Sequence, residues 1–266
     1  MRRLDIGSSG LWRDFLRLLG LLTIIPVPRG DRGLELGSLY LISLIGFIKG
    51  LFVVSPLLII ILLGSNYAMI TTSLVIAIHY IIQGFLHADG LIDFGEALLA
   101  SRFGADPYKL MKDAHRGSYA IALFGLFIVA LYSSLYTMLI TSSFAVAIIM
   151  IISAEMISLI SALYLSYIGG EPPEGMGRIF KRSIRRIDLF ISFLISIAII
   201  ILISYILLIQ FIEVIITLIK ALIPMLLSIS TTYYLSKKIL GFVNGDVLGF
   251  CIELSYLMII ILGALL

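Results

Sequence analysis

The chain has 266 residues, of which 61% are hydrophobic and 13% are charged, and its mean hydropathy is +1.14. A soluble domain of this length carries about twice that share of charged residues, so the composition excludes an ordinary soluble fold and indicates a polytopic membrane protein. The single cysteine, Cys251, excludes a disulfide framework and a multi-cysteine metal site, and the net charge of +3 is less informative than its distribution.

The N-terminal segment, residues 8–28, predicts an amphipathic helix that lies in the membrane interface. Its apolar residues recur at helical spacing from Leu11 to Leu22, opposite Arg13 and Arg17. No small-residue cleavage site follows the apolar run, so no signal peptide is expected.

Seven apolar segments of about 20 residues predict seven transmembrane helices, and hence an all-α helical bundle in one membrane-embedded domain over residues 1–266. The first span has Gly46, Gly50 and Pro56 as places to tilt or break. The spans are expected at residues 36–63, 67–86, 117–140, 144–167, 189–210, 214–234 and 247–266. The polar stretches at 87–116, 169–188 and 237–246 are interpreted as loops.

The positions of Lys and Arg predict which side of the membrane these loops face. Seventeen of the 19 Lys and Arg residues fall before residue 33 or in the three polar stretches, which seven spans place on one side. Cytoplasmic loops are enriched in Lys and Arg, so we expect this side to be the cytoplasm and the C-terminus to lie outside. If residues 8–28 formed a span instead, the cations would be divided between the two sides.

The stretch HADGLIDFGE, residues 87–96, places three carboxylates, Asp89, Asp93 and Glu96, directly after the second span. On a helix continuing from that span they share one face, where like charges repel unless a cation lies between them. Carboxylate oxygens are the ligands that Mg²⁺ prefers. The alternative is a solvated helix end at the membrane boundary. His87 is either a boundary histidine or a proton acceptor beside the carboxylates.

Residues 112–118, KDAHRGS, bring a similar set to the start of the third span. Asp113 is a further carboxylate, and Gly117 and Ser118 begin a helix. The N–H groups at a helix start favour an anion, although an ordinary helix cap explains the two residues as well.

The stretch NGDVLGFCIE, residues 244–253, repeats the pattern on the last span. Asp246, Gly249 and Glu253 share one helical face, and Glu253 lies about two turns inside the membrane. A carboxylate at that depth points to a cavity or to a partner.

Two further sets of charges have alternative explanations. Most cations of the 169–188 loop are explained as anchors to anionic lipid, with Arg178 as the candidate for binding substrate phosphates. Lys49 and Glu155 lie inside predicted spans, where charges are paired or functional, and an ion pair between them is a hypothesis. Acidic stripes and glycine-flanked helix ends on one face, surrounded by Arg and Lys, together favour Mg²⁺-assisted transfer at a phosphate.

These motifs resemble those of the cobalamin synthases, the adenosylcobinamide-GDP ribazoletransferases, over nearly the whole chain. The segments that carry the resemblance are TIIPVP (23–28), LIGFIKG (44–50), HADGLIDFGEALLASR (87–102), MKDAHRGSYA (111–120), PEGMGRIF (173–180) and NGDVLGFCIEL (244–254). The chain departs from the family pattern at Glu96-Ala97, which replaces Asp-Gly, and at Pro172 or Pro173, one of which stands where an arginine is usual. Tyr256 replaces a common glutamate, and the fourth span lacks an arginine.

The resemblance implies the last step of nucleotide-loop assembly in cobalamin biosynthesis, in the cell membrane of a prokaryote. The adenosylcobinamide-phosphate group of adenosylcobinamide-GDP would pass to α-ribazole or its 5′-phosphate, with release of GMP. Mg²⁺ is the implied cofactor and membrane lipid an implied partner; no nucleic acid is implied, and self-association is left open.

The resemblance also implies roles for particular residues. His87 is the candidate base, with Glu96 second. The implied metal ligands, which are also assigned to catalysis, are Asp89, Asp93, Glu96, Asp113 and Asp246. The implied substrate-binding residues are Arg102, Gly117, Ser118, Gly175, Gly177, Arg178, Gly245, Gly249 and Glu253.

Two other functions are weighed against this one. A CDP-alcohol phosphotransferase also uses membrane aspartates and Mg²⁺, but its Asp-Gly-x-x-Ala-Arg signature is not met after Asp89-Gly90. A membrane transporter predicts broken helices and an ion site near the bilayer midplane, and Lys49 and Glu155 give it slight support.

Overall fold

A computed structural model describes residues 8–28, 37–113, 115, 117–207 and 210–265. This part of the chain is built from α-helices and short turns and contains no β-strand, in agreement with the all-α prediction. The helices are α1 (Ser8–Leu22), α2 (Ile42–Val54), α3 (Leu57–Leu63), α4 (Ala68–Ile82), α5 (Leu86–Ala100), α6 (Pro107–Met111), α7 (Ser118–Thr141), α8 (Phe144–Ile168), α9 (Met176–Ser183), α10 (Arg186–Ile206), α11 (Phe211–Ile239) and α12 (Gly245–Leu265). Five of the cations counted above lie outside the described residues: Arg2, Arg3, Arg29, Arg32 and Arg116.

Seven helical segments of the described chain are long and apolar enough to cross a membrane, which confirms the predicted number of spans. The first runs from Leu39 to Leu63 and combines α2 and α3, which meet at Pro56. This break was expected, because proline lacks the N–H that a continuous helix needs. The other spans contain α4, α7, α8, α10, α11 and α12.

Helices α8 and α12 occupy the centre of the bundle, since most of their residues are buried. Gly46 and Gly50 do not bend α2 but bring it against α8. A Cβ on Gly46 would lie 2.7 Å from Met156 Cα, and a Cβ on Gly50 would lie 3.0 Å from Ile152 Cα. Small residues permit such close packing of membrane helices.

The second span ends earlier than predicted, and the acidic helix is a separate element. Helix α4 ends at Ile82, Gly84 and Phe85 both adopt a φ of 60°, and α5 begins at Leu86. A left-handed pair cannot continue a right-handed helix. The expectation of a helix continuing from the second span is therefore wrong, although the acidic stretch itself is helical.

The N-terminal amphipathic helix is confirmed but shorter than the predicted segment, because α1 ends at Leu22. Leu18 and Leu22 are buried against the rest of the protein, whereas Trp12 is 61% exposed. The extended residues after α1 are tied to the end of α4, where Ile24 N donates to the carbonyl of Ile82 at 2.8 Å. Part of the apolar face expected to meet lipid is thus covered by protein.

The stretch interpreted as a loop at 169–188 contains the amphipathic helix α9. Lys181 of this helix reaches back to the end of α8, where its ammonium donates to the carbonyls of Ser166 (2.8 Å) and Tyr167 (3.1 Å). Carbonyls at a helix C-terminus have no partner within the helix, so a cation there stabilises both elements.

Candidate active site

Helices α5 and α12 cross at two glycines. A Cβ on Gly90 would lie 2.7 Å from the Asp246 carbonyl oxygen and 3.0 Å from Gly249 Cα. A Cβ on Gly249 would lie 3.0 Å from the His87 carbonyl oxygen. The two backbones are therefore in contact, and Asp89 and Asp246 belong to the two helices that meet there.

A cavity of about 190 Å³ opens beside this crossing. Its polar lining includes His87, Asp89 and Asp246. Gly177, Gly245 and Gly249 also line it, so six of the predicted site residues meet here. The remaining wall is mostly apolar and includes Leu21 and Leu22 of α1, Ile42 of α2 and Phe180 of α9. The cavity therefore offers a ligand a polar side, formed by His87, Asp89 and Asp246, within a lining that is otherwise mostly apolar.

Two helix N-termini, those of α9 and α12, meet at the polar side of this cavity. A Cβ on Gly177 would lie 3.0 Å from Gly245 N. Asn244 caps α12, since its Oδ1 accepts from Val247 N at 3.1 Å and its Nδ2 donates to Asp246 Oδ2 at 2.9 Å. Because helix N-termini carry partial positive charge, this corner of the cavity favours an anion such as a phosphate.

His87 lines the cavity at the start of α5, and its side chain is buried. Within the described part of the chain its Nε2 atom has no hydrogen-bond partner. Burial lowers the pKa of His87 well below its usual value, and the positive charge of Lys49 lowers it further. The imidazole is therefore neutral near pH 7.

The other two carboxylates of α5, Asp93 and Glu96, are buried and do not line the cavity. Glu96 Oε1 accepts a hydrogen bond from Gly117 N at 2.8 Å, and a Cβ on Gly117 would lie 2.3 Å from the same oxygen. The Gly117 N–H is thus capped by the Glu96 carboxylate, which agrees with the alternative of an ordinary helix cap. Phosphate binding by Gly117 and Ser118 stays a prediction.

Several other predicted residues lie away from the cavity lining. The Arg178 guanidinium is bound by Glu171, with Nε 2.8 Å from Oε1. This cation therefore stabilises the segment between α8 and α9. Arg102 is exposed on the turn after α5. Asp113 Oδ1 accepts from the backbone of His115. Gly175 begins α9 with a φ of 86°, a conformation that favours glycine.

In the described part of the chain, no group of three or more His, Cys, Asp or Glu side chains is arranged to hold a metal ion alone. The cavity does bring two carboxylates, Asp89 and Asp246, to one place. Mg²⁺ is usually held by one or two carboxylates and completed by substrate phosphates and water. This pair therefore fits Mg²⁺ bound together with a diphosphate. Further coordination by Asp93, Glu96 and Asp113 stays a prediction.

The hypothesis of an ion pair inside the membrane is confirmed, since Lys49 Nζ lies 3.0 Å from Glu155 Oε2. Glu253 points into the same buried region, where its Oε1 accepts from Gln83 Nε2 at 2.9 Å, and it does not line the cavity. His79 and Gln83 were missed by the sequence analysis. The signal was their spacing, since two polar residues four apart inside one span share a helical face.

Seven apolar spans and a cavity with two carboxylates where α5 meets α12 define a multi-pass membrane protein with an open site at the helix crossing. The chain belongs to the cobalamin-5-phosphate synthase family, whose model matches residues 14–264. This match confirms the resemblance noted from the motifs.

Curated relatives named adenosylcobinamide-GDP ribazoletransferase match part of the chain. The protein from Clostridium perfringens (strain SM101 / Type A) is 30% identical over 112 residues, covering 39% of this chain and 41% of the relative. The protein from Chlorobaculum parvum (strain DSM 263 / NCIMB 8327) is 31% identical over 108 residues, covering 40% and 42%. The chain therefore spans about two fifths of the length of the curated relatives it matches. No solved structure matches.

Proposed function

We propose that the protein transfers the adenosylcobinamide-phosphate group of adenosylcobinamide-GDP to α-ribazole or its 5′-phosphate and releases GMP. Membership of the cobalamin-5-phosphate synthase family supports this reaction, as do the names of the relatives. The observation that carries it is the cavity lined by Asp89, Asp246 and His87 and, for most of the rest, by apolar side chains. A corrinoid that carries a diphosphate likewise combines a charged group with a large ring system.

The diphosphate binds at the polar side of the cavity. Asp89 and Asp246 would hold Mg²⁺ there, which would supply positive charge to the diphosphate oxygens. The N-termini of α9 and α12, at Gly177 and Gly245, direct partial positive charge at the same phosphates. Phosphoryl transfer depends mainly on positioning and charge stabilisation, and this set of groups provides both.

His87 is the group that receives the proton of the attacking hydroxyl. Its Nε2 is buried at the cavity, and in the described residues it has no competing partner. The α-ribazole hydroxyl gives its proton to this nitrogen while its oxygen bonds to the phosphorus next to adenosylcobinamide. The bond from that phosphorus to the oxygen shared with GMP breaks, and GMP leaves with that oxygen.

The cavity opens to the cytoplasm of a prokaryotic cell. Described cations on the cavity side include Arg182, Arg186, Lys237 and Lys238, and the positive-inside rule assigns such loops to the cytoplasm. Part of α1 meets membrane lipid, since Trp12 is exposed beside the buried face of the helix.

The reaction is tested with purified protein in lipid nanodiscs, supplied with adenosylcobinamide-GDP, Mg²⁺ and either α-ribazole or its 5′-phosphate. We expect GMP and the corresponding cobalamin product to form in equal amounts, as measured by mass spectrometry. CDP-diacylglycerol with a small alcohol serves as the control substrate pair and is expected to give no product. Absence of GMP release with both acceptors would contradict the proposal.

A further inference from the structure

Beneath the cavity, five polar side chains from four spans form a cluster inside the membrane-spanning part of the bundle. They are Lys49 of α2, His79 of α4 and Gln83 directly after it, Glu155 of α8 and Glu253 of α12. Each is at most 2% exposed. Charged groups at such depth are costly unless they are paired, so the charges of this cluster must balance one another.

The contacts link all five side chains. Lys49 Nζ lies 3.0 Å from Glu155 Oε2 and 3.4 Å from Gln83 Oε1. Gln83 Nε2 donates to Glu253 Oε1 at 2.9 Å. The His79 ring lies between the two carboxylates, with Nδ1 2.6 Å from Glu155 Oε1 and Nε2 3.4 Å from Glu253 Oε2.

The position of His79 determines its protonation. A carboxylate only accepts hydrogen bonds, so a ring nitrogen that faces one must carry a proton, and both nitrogens of His79 face carboxylates. One ammonium and two carboxylates leave the cluster with an excess negative charge unless the imidazole is positive. His79 is in contact with Tyr80 of α4, Gln83 directly after α4, Glu155 of α8, and Glu253 and Tyr256 of α12. Lys49 of α2 lies on the other oxygen of the Glu155 carboxylate.

Neutral His79 is the competing arrangement, because Nε2 also lies 3.4 Å from Gln83 Nε2 and could accept from it. The lone pair would then face the Glu253 carboxylate at the same distance, and the buried cluster would be left negative. A protonated Glu253 would also balance the charge, but both Glu253 oxygens accept hydrogen bonds, Oε1 from Gln83 Nε2 and Oε2 from Tyr80 Oη. Glu253 is therefore the ionised carboxylate, and charge balance then favours the imidazolium. The Tyr256 ring stacks on His79 at 4.0 Å between centroids, a contact that also favours a cation.

The cluster is connected to the cavity through two of its members. Gln83 follows the last residue of α4 and directly precedes the left-handed pair that turns the chain into α5, the helix of Asp89. Glu253 lies two turns along α12 from Asp246. Since Gln83 donates to Glu253, the cluster ties the turn before α5 to α12 beneath the glycine crossing.

We propose that His79 is a resident imidazolium that makes this cluster neutral, and that the cluster holds α5 and α12 in the arrangement needed for phosphoryl transfer. The five members are positioning residues, because none of them lines the cavity. The second half of the proposal rests on the proposed function, whereas the protonation state of His79 does not.

The protonation state is measured on the native protein by nitrogen NMR with ¹⁵N-labelled histidine in lipid nanodiscs at pH 7.5. The chain has 3 histidines, and His79→Gln and His115→Gln variants assign the signals. We expect both ring nitrogens of His79 to carry protons. A His79 ring with one unprotonated nitrogen would overturn the proposal.

The positioning role is measured by charge rescue. His79→Gln leaves the cluster with an uncompensated carboxylate, and we expect kcat to fall at least about tenfold with a smaller change in KM. The melting temperature also falls. His79→Gln combined with Glu253→Gln restores neutrality, and we expect most of the loss in kcat and in melting temperature to be recovered.

Ser255→Ala is the matched control, because it removes an uncharged contact between α8 and α12, Ser161 Oγ to Ser255 Oγ at 2.9 Å. This control should retain native kcat.

The outcomes separate the two proposals. A protein that releases no GMP but has a doubly protonated His79 and a rescued melting temperature supports the neutral cluster and overturns the proposed function. An active His79→Gln variant with native kcat, or a double variant no better than the single one, overturns the positioning role.

Discussion

Gly90 of α5 and Gly249 of α12 lie in backbone contact, with a Cβ on Gly90 placed only 3.0 Å from Gly249 Cα. This contact sets the separation of the two helices that carry Asp89 and Asp246 into one cavity. The glycines matter for their lack of a side chain, since any larger residue would move one backbone away from the other.

Gly90→Ala should therefore disable the site without removing any of its polar groups. The added methyl meets the Asp246 carbonyl and forces α5 from α12, which we expect to cost about 1–3 kcal/mol of unfolding free energy. Thermal unfolding in detergent and GMP release measure the two effects. Gly125→Ala in α7 is the control, because a Cβ there meets nothing within 4 Å, and it should be neutral or stabilise by up to about 1 kcal/mol. Native turnover by Gly90→Ala would contradict the role of the crossing.

The two cavity carboxylates are expected to act on the metal. Asp89→Asn and Asp246→Asn each remove a charged oxygen ligand, and we expect turnover to fall at least about 100-fold and the Mg²⁺ concentration for half-maximal rate to rise. A magnesium titration of GMP release measures both. Asp106→Asn is the control, because Asp106 caps α6 by accepting from Tyr108 N, a role that asparagine also fills. An Asp89→Asn variant with unchanged Mg²⁺ dependence would make the metal assignment wrong even for a member of this family.

Glu96 is expected to act mainly as a cap for α7. Glu96→Gln keeps an oxygen that accepts from Gly117 N, so it should retain much of the native stability, whereas Glu96→Ala should lose about 1–2 kcal/mol. Thermal unfolding separates the variants. If Glu96→Gln raised the Mg²⁺ requirement as strongly as Asp89→Asn, Glu96 would be a metal ligand and not only a cap.

The orientation of the protein in the membrane can be tested by labelling introduced cysteines. The native Cys251 is fully buried, so it gives little background labelling. Ser65→Cys lies in an exposed turn between the first two spans, and Lys109→Cys lies on exposed α6 at the cavity side. A membrane-impermeant maleimide applied to intact cells should label Ser65→Cys, and should label Lys109→Cys only after lysis. The reverse pattern would place the cavity outside the cytoplasm.

The seven spans could be predicted because the requirement for about 20 apolar residues is local and independent of the partner helices. The end of the second span could not, since Phe85 adopts a left-handed conformation that its residue type does not favour. That turn depends on surrounding contacts, among them Gln83 in the buried cluster.

In the candidate site, too, one part could be predicted from the sequence and another could not. The pair Lys49–Glu155 was predictable, because a charge inside a span needs a partner and few were available. Which carboxylates line the cavity and which bind elsewhere could not be predicted. Spacing along α5 groups Glu96 with Asp89, but the folded chain brings Gly117 to Glu96 and Asp246 to the cavity that Asp89 lines. Which neighbour reaches each carboxylate depends on how α7 and α12 pack against α5.

The most direct measurement is a structure of the protein in nanodiscs with Mg²⁺ and adenosylcobinamide-GDP, determined by cryo-electron microscopy. We expect the diphosphate between Asp89 and Asp246, beside Gly177 and Gly245, with the metal on both carboxylates and the corrin ring against the apolar lining that includes Leu22 and Phe180. A diphosphate bound elsewhere, with neither Asp89 nor Asp246 near the metal, would contradict this expectation.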